Sequence, residues 1–243
     1  MEAVILAAGR GQRMEGLAKP FYKPLLEING MPLVAYAVEY ASASGVERVT
    51  VVASSANYSD ISEALSSYSK WVRLVVQEEP AGPGHATMIG LSDAVHDQTM
   101  LLMSDNVMDQ DIVVDMAFNS RVNQTDAIGV RTVTLEQASR FTRIQHAHND
   151  NENYKFVEGT PVGIDDIWID GNVKVWCGPV VFQTSRAFDI LSNEWANRKE
   201  SSEMKIGPYL NTIMRWPTHL YDVKAFDVGI PSAYIASKNG DLV

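Results

Sequence analysis

The chain of 243 residues has one cysteine, Cys177, and five histidines. A single thiol excludes an intramolecular disulfide framework and a multi-cysteine metal site, and it fits a reducing compartment. Basic residues are scarce, 20 Lys and Arg against 30 Asp and Glu, which leaves a net charge of −10. That balance lacks the basic face with which a protein meets nucleic acid. No apolar run approaches the roughly 18 residues of a membrane-spanning helix, and the N-terminus shows no basic segment followed by a signal-type apolar core. A cytoplasmic protein without membrane or nucleic-acid partners is expected. Internal repeats, low-complexity tracts and clear linkers are absent as well, so residues 1-243 are expected to form a single domain, long enough for a sizeable core.

What is present is concentrated at the start. Met1 to Leu6 is apolar and breaks into Ala7-Ala8-Gly9-Arg10-Gly11-Gln12-Arg13-Met14, with Lys19, Lys23 and Pro24 following. A buried strand ending in two glycines lets phosphates approach backbone N–H groups with no Cβ in the way. Arg13 and Lys23 add fixed positive charge, one as a planar fork and one as a point charge. A glycine turn after an apolar strand also opens many α/β domains that bind nothing there.

The pattern then alternates. Met31 to Ser44 has helical spacing and stops at Gly45, Val46 to Ala53 reads as a strand, Asp60 to Tyr68 as a helix, and Trp71 to Val76 as a strand. Gln77 to Gly84 reads as a loop, His85 to Val95 as a helix, and Thr99 to Met103 as a fourth strand ending at Ser104-Asp105-Asn106. Such alternation predicts an α/β fold with a doubly wound, mostly parallel sheet, whose ligands sit beyond the carboxyl ends of the strands. The glycine loop, Gln77 to His85, and Asp105 all fall at strand ends. The second half is less regular: strands over 127–133, 141–145, 154–158, 166–169 and 173–182, an exposed turn at His146 to Asn153, helices over 185–195 and 208–216, a strand closed by Asp227 to Pro231, and a short helix from Ser232 to Ser237.

Asp105 and Asp227 each have two readings. Asp105 is either a carboxylate delivered to the crevice or the N-cap of a following helix, and Asp227 either a metal ligand or part of a turn. If the two meet, they suit Mg²⁺, a hard cation that takes one or two carboxylates plus phosphate oxygens. Cys177 reads as a small buried residue, since no local His or Asn motif makes it a nucleophile. His85 reads as a helix N-terminal residue, and His146 and His148 as a solvated turn.

The stretch from Leu6 to Met14, then Tyr22-Lys23-Pro24-Leu25-Leu26 and Asn29-Gly30-Met31-Pro32-Leu33, resembles the signature of the sugar-1-phosphate nucleotidyltransferases: roughly L-A-A/G-G-x-G-x-R-M/L, then P-K-P-L, then G-x-P-L. M-S-D-N at 103–106 resembles the family's L-x-G-D-N/D segment, and F-D-V-G-I-P-S-A-Y at 226–234 its D-x-G-T-P-x-x-Y/L closing motif. The resemblance implies a Rossmann-like, GT-A-type fold with a nucleotide-binding half (1-115) and an acceptor-binding half (116-243). It places Leu6, Ala8, Gly9 and Gly11 at the nucleotide, Arg13 on the β- and γ-phosphates, Lys23 at the α-phosphate, and Mg²⁺ on Asp105 and Asp227. Gln77 to Ala86 (Q-x-x-x-x-G-x-G-H-A) is similar to the base-recognition segment of uridylyltransferases, which implies that Gln77 and Gly82 read a pyrimidine.

Glu158, Gly178 and Arg143 match the family's acceptor contacts, with departures beside each. Gly159 follows Glu158 where lysine is common, Trp176 replaces an asparagine near Gly178, and Thr142 precedes Arg143 where glycine is usual. The implied reaction joins an NTP and a sugar 1-phosphate, or a similar phosphorylated acceptor, into an NDP-activated product and pyrophosphate. Three alternatives remain at this point: a nucleotide-sugar-dependent glycosyltransferase, which favours a D-x-D pair where this chain has Asp105-Asn106-Val107; a cytidylyltransferase for a non-sugar phosphate such as phosphocholine; and a nucleotide sensor without turnover.

Overall fold

The computed structural model describes residues 1–9, 22–146, 154–199, 202–215 and 218–227, with backbone alone at 226–227. Strand β1 (Glu2–Leu6) is buried along its whole length. A two-residue hairpin follows, β2 (Glu27–Ile28) against β3 (Met31–Pro32), turned by Asn29 and Gly30 at φ 52° and 76°. Asn-Gly is the pair that tolerates positive φ at both turn positions. The hairpin takes Met31 and Pro32, so helix α1 (Leu33–Ala43) starts two residues later than its apolar spacing suggests.

Next come β4 (Val49–Ser54), α2 (Tyr58–Ala64), β5 (Val72–Gln77), α3 (Pro83–Leu91), β6 (Gln98–Met103) and the short β7 (Asn106–Met108). Helix α4 (Gln110–Asn123) was not legible in the sequence. Its buried positions, Val113, Met116, Ala117 and Ser120, keep a helical stripe. Phe118 and Val122 stand exposed on the opposite side and blur the pattern.

The second half consists of β8 (Asp126–Val133), α5 (Leu135–Ala138), β9 (Arg143–His146), β10 (Tyr154–Val157), β11 (Trp168–Ile169), β12 (Asn172–Gln183), α6 (Thr184–Asn197), α7 (Leu210–Ile213), β13 (Thr218–Asp222) and β14 (Ala225–Asp227). The helix expected over 208–216 is a 3-10 turn at Gly207–Tyr209 running into the four-residue α7. The helix expected over 232–237 and most of the turn at 146–153 lie outside the described residues.

Strands β5, β4, β1 and β6 pair in parallel, and β12 joins the free side of β6 in antiparallel fashion. Through β12 the sheet continues to β8, β9, β10 and β11, with β13 parallel to β8. The pleat sends alternate β1 side chains to opposite faces. Ala3 and Ile5 pack in one cluster with residues of α1 and α4, while Val4 and Leu6 pack in another with residues of α3 and α6. Helices on both faces are the doubly wound arrangement.

Helix α3 lies so close to the sheet that a Cβ on Gly90 would meet Cγ1 of Val4 at 2.4 Å and Cγ2 of Val52 at 3.1 Å. Alanine favours a helix interior over glycine by about 1 kcal/mol, whereas overpacking costs about 1–3 kcal/mol, so the clash outweighs propensity. Gly90→Ala is expected to lower the midpoint of thermal unfolding by roughly 2–4 °C; a variant melting above the parent would show that the helix can lift without loss.

Candidate active site

The root of the first loop is fixed from two neighbouring strand ends. Ser104, just past β6, donates to the Leu6 carbonyl from its hydroxyl at 2.6 Å and from its backbone N–H at 3.2 Å. Asn57, fully buried, donates its Nδ2 to the Ala7 carbonyl at 2.8 Å and accepts the Ser54 N–H at 2.8 Å. Ala8 is buried and Gly9 exposed, with open space where a Cβ would stand. Gly11 and Arg13 lie outside the described residues.

Lys23 opens a 3-10 turn with Pro24 buried behind it, and its Nζ meets Oδ2 of Asp105 at 2.5 Å across 82 positions of sequence. Both side chains remain partly exposed, at 14% and 28%. Asp105 is not a helix cap; that task falls to Asp109, whose Oδ1 accepts the Asp111 N–H at 3.1 Å. The same region receives the end of the described chain. Strand β14 pairs antiparallel with β7 and sets the backbone of Asp227 opposite Asn106, one residue from Asp105.

Gly178 is shaped by this arrangement. Asn106 donates its Nδ2 to the Cys177 carbonyl at 3.0 Å, and Gly178, at φ +123°, would place a Cβ 2.7 Å from that Nδ2. The pairing of β12 with β8 shifts register between Trp176 and Val180 at this point. Glycine here serves close packing of the strand-end loop on β12. Burial pushes the Cys177 thiol up to about 12, which keeps it protonated and unsuited to nucleophilic work.

Gln77 ends β5. Its Nε2 lies 3.0 Å from the Gly82 carbonyl and 3.2 Å from Nδ1 of His85. The glycines of this loop admit another part of the same chain: Gly84 N–H donates to the Met204 carbonyl at 2.6 Å, Met204 N–H to the Ala81 carbonyl at 2.7 Å, and a Cβ on Gly82 would meet Glu203 Cγ at 2.5 Å. His85 is stacked on Trp195 with ring centroids 3.6 Å apart, and Arg198 covers Trp195 at 3.7 Å while pairing with Glu79. Burial lowers the His85 pKa, so the ring is neutral at pH 7 and its surroundings give it a packing role.

Between Lys23 and Asp105 on one side and the second half of the chain on the other lies a cleft of about 380 Å³. Glu158, Gly178, Thr142 and Trp176 line it. Glu158 accepts from Lys205 Nζ at 2.8 Å through Oε1, which raises the lysine's pKa, and from the Thr142 hydroxyl at 3.4 Å through Oε2. Thr142 has room because residue 207 is glycine, where a Cβ would come within 2.3 Å of its Oγ1.

Arg143 does not line the cleft, which corrects its expected place among the acceptor contacts. It is 1% exposed, and its guanidinium donates to the Thr160 carbonyl at 2.6 Å and hydroxyl at 2.7 Å, with Nε 3.0 Å from Asp166 Oδ1. A buried arginine that reaches such partners is held by them. Besides Lys23, the cations that line the cleft are Arg131, Arg140 and Lys205, none of which was singled out from the sequence. Arg131 breaks the apolar run of β8, which was the one available signal.

Among the described residues no group of three or more His, Cys, Asp or Glu is arranged to hold a metal, and no helix is long and apolar enough to cross a membrane.

A parallel sheet whose first strand leads to Gly9 and whose strand ends carry a Lys–Asp pair beside a polar cleft is the arrangement of an α/β protein that takes its ligand beyond the carboxyl ends of its strands. The family of the MobA-like NTP transferase domain matches residues 3–192, and the chain belongs to it. The UTP–glucose-1-phosphate uridylyltransferase AglF of Haloferax volcanii is 27% identical over 143 residues, 58% of each chain. The bifunctional protein GlmU of Syntrophomonas wolfei is 25% identical over 177 residues, 68% of this chain and 38% of that protein. The alignments thus span from about two fifths to three fifths of these curated relatives. A crystal structure of UDP-glucose pyrophosphorylase with UDP-glucose superposes with a TM-score of 0.76 over 99% of this chain and 97% of that one, at 22% identity, which establishes the shared fold.

Proposed function

We propose that the protein is a nucleotidyltransferase that condenses an NTP with a sugar 1-phosphate to give an NDP-sugar and pyrophosphate. The observation that carries this reading is the convergence of Lys23, Asp105 and the backbone of Asp227 at one end of the cleft, from three distant parts of the chain. An oxygen of the acceptor phosphate attacks the α-phosphorus of the NTP. A new P–O bond forms as the bond from the α-phosphorus to the bridging oxygen breaks, and pyrophosphate leaves with that electron pair. Chemistry of this kind needs alignment and charge neutralisation more than a covalent intermediate.

Lys23 supplies a fixed cation where negative charge gathers on the α-phosphate and the incoming oxygen, and Asp105 holds its ammonium in place. Arg13, by the family's motif, holds the β- and γ-phosphates. The root at Leu6 to Ala8, held by Ser104 and Asn57, leads into the glycine-containing segment that by the family's motif meets the triphosphate, and by the same motif Gln77 and Gly82 read the base, a pyrimidine. Glu158 stands in the cleft, where it can accept hydrogen bonds from sugar hydroxyls. The donor set of Asp105 and Asp227, two carboxylates at a site that receives phosphates, fits Mg²⁺, whose remaining ligands are water and phosphate oxygens. Bound there, the ion would neutralise phosphate charge and polarise the α-phosphorus.

The UTP and glucose 1-phosphate named for the relatives make uridine nucleotides and hexose phosphates the first pairs to test. Pyrophosphate release, measured for every NTP against a panel of acceptor phosphates with and without Mg²⁺, is expected to require both substrates and the ion. NTP binding with no release for any pair would overturn the reading.

A further inference from the structure

In a chain of net charge −10, most cations near the cleft are matched by carboxylates: Lys23 by Asp105, Lys205 by Glu158, Lys174 by Asp222, Arg198 by Glu79. Arg131 and Arg140 line the cleft and have no ion-pair partner among the described residues. Both stand around the ring of Phe141, with Cζ at 4.9 Å and 6.0 Å from its centroid. The ring orients two guanidiniums that would otherwise repel each other. Arg131 donates one hydrogen bond, from Nη1 to the Ala225 carbonyl at 2.8 Å, and its buried Nε has no partner among the described residues. A guanidinium offers five N–H donors in a fork that matches carboxylate and phosphate, and a buried donor left unpaired is costly unless a ligand completes it.

The position of the pair fits the far end of an acceptor. Arg131 is level with Val175 on β12, whereas Asn106, next to Asp105, packs on Gly178. The two levels are three residues apart along β12, and Arg131 and Arg140 line the same cleft as Lys23 and Asp105. A sugar ring with an anionic substituent at each side can meet both groups of cations.

We propose that Arg131 and Arg140 form an anion subsite in the acceptor half of the cleft, and that the acceptor carries a second anionic group, a carboxylate or a phosphate, remote from its reacting phosphate. The inference rests on the transferase reading for which substrate occupies the cleft. It also sets the pair against a cationic acceptor such as phosphocholine, whose trimethylammonium would face two guanidiniums.

The test compares glucuronate 1-phosphate, glucose 1,6-bisphosphate, glucose 1-phosphate and phosphocholine with the full chain. It reads kcat/KM from pyrophosphate release and, separately, Kd by calorimetry. At least a tenfold preference for one of the two acceptors with a second anion over glucose 1-phosphate is expected, in kcat/KM and in Kd. Which of the two wins distinguishes carboxylate from phosphate. Arg140→Gln, at an exposed side chain, is expected to reduce that preference severalfold, and Arg131→Met to abolish it; the first variant keeps the test valid if the second disturbs β14. Equal use of acceptors with and without the second anion, a preference that survives both substitutions, or an equal loss of UTP affinity in Arg140→Gln would overturn the subsite. Selective binding of the doubly anionic compounds without any pyrophosphate release would overturn the transferase reading and leave the subsite standing.

Discussion

Replacing Lys23 by alanine is expected to lower turnover at least about a hundredfold while leaving the thermal midpoint within a few degrees of the parent. The figure corresponds to about 2.7 kcal/mol of lost transition-state stabilisation. The reasoning is electrostatic: the pair with Asp105 sits at the cleft's edge with both side chains partly exposed, so its worth to folding is that of a surface ion pair, ~1 kcal/mol or less. In the proposed reaction its worth is larger, because the ammonium faces negative charge that redistributes over the α-phosphate as the new bond forms and pyrophosphate leaves. Single-turnover rates with saturating UTP and acceptor separate the two contributions. A variant that unfolds early but, once folded, reacts at the parental rate would reduce Lys23 to a structural residue.

Asp105→Asn is the second large effect, and it separates two tasks for one carboxylate. The substitution keeps the side chain's shape, removes the charge facing Lys23, and removes one of the two oxyanions proposed to hold Mg²⁺. Turnover is expected to fall about a hundredfold, and the Mg²⁺ concentration for half-maximal rate to rise by at least about tenfold, since fewer anionic ligands hold a hard cation more weakly. If the carboxylate only positions Lys23, the rate falls and the Mg²⁺ titration keeps its midpoint. The pair Lys23→Ala with Asp105→Asn should then be far from additive, because each single change already removes the contact that the other shares.

The sequence made the strand ends legible because each parallel strand is an apolar run followed by punctuation. Leu6 was placed at the end of such a run and Gln77 and Asp105 beyond theirs, and the folded chain ends β1 at Leu6, β5 at Gln77 and β6 two residues before Asp105. What was less legible depends on partners far away in sequence. Arg143 matches a motif by residue type, yet Thr160 and Asp166, 17 and 23 positions later, draw its side chain into the interior. Arg131, Arg140 and Lys205 went unremarked, since the sequence does not show that β8, the stretch before β9 and the stretch before α7 face one cavity. Asn29-Gly30 is a hairpin-turn pair that counted in the sequence only as part of a motif, so the helix was started at Met31. Helix α4 was obscured by two exposed apolar side chains, Phe118 and Val122.

Gly178 matches the family's acceptor contacts, and the geometry gives it a second duty. Its missing Cβ is what lets Asn106 reach the Cys177 carbonyl, and through β7 that contact bears on the strand that carries Asp227. Glycines in sites of this kind serve backbone approach from within the chain as well as from a ligand.

The contact between Thr142 and Gly207 bears on how this pocket can be re-engineered. The hydroxyl of one fills the space that a methyl group on the other would claim. Installing glycine at 142 would therefore leave a hollow in the wall, and adding a side chain at 207 alone would jam it. Reshaping this wall of the cleft is a coupled exchange, so libraries that randomise the two positions together should yield folded variants that single-site libraries miss.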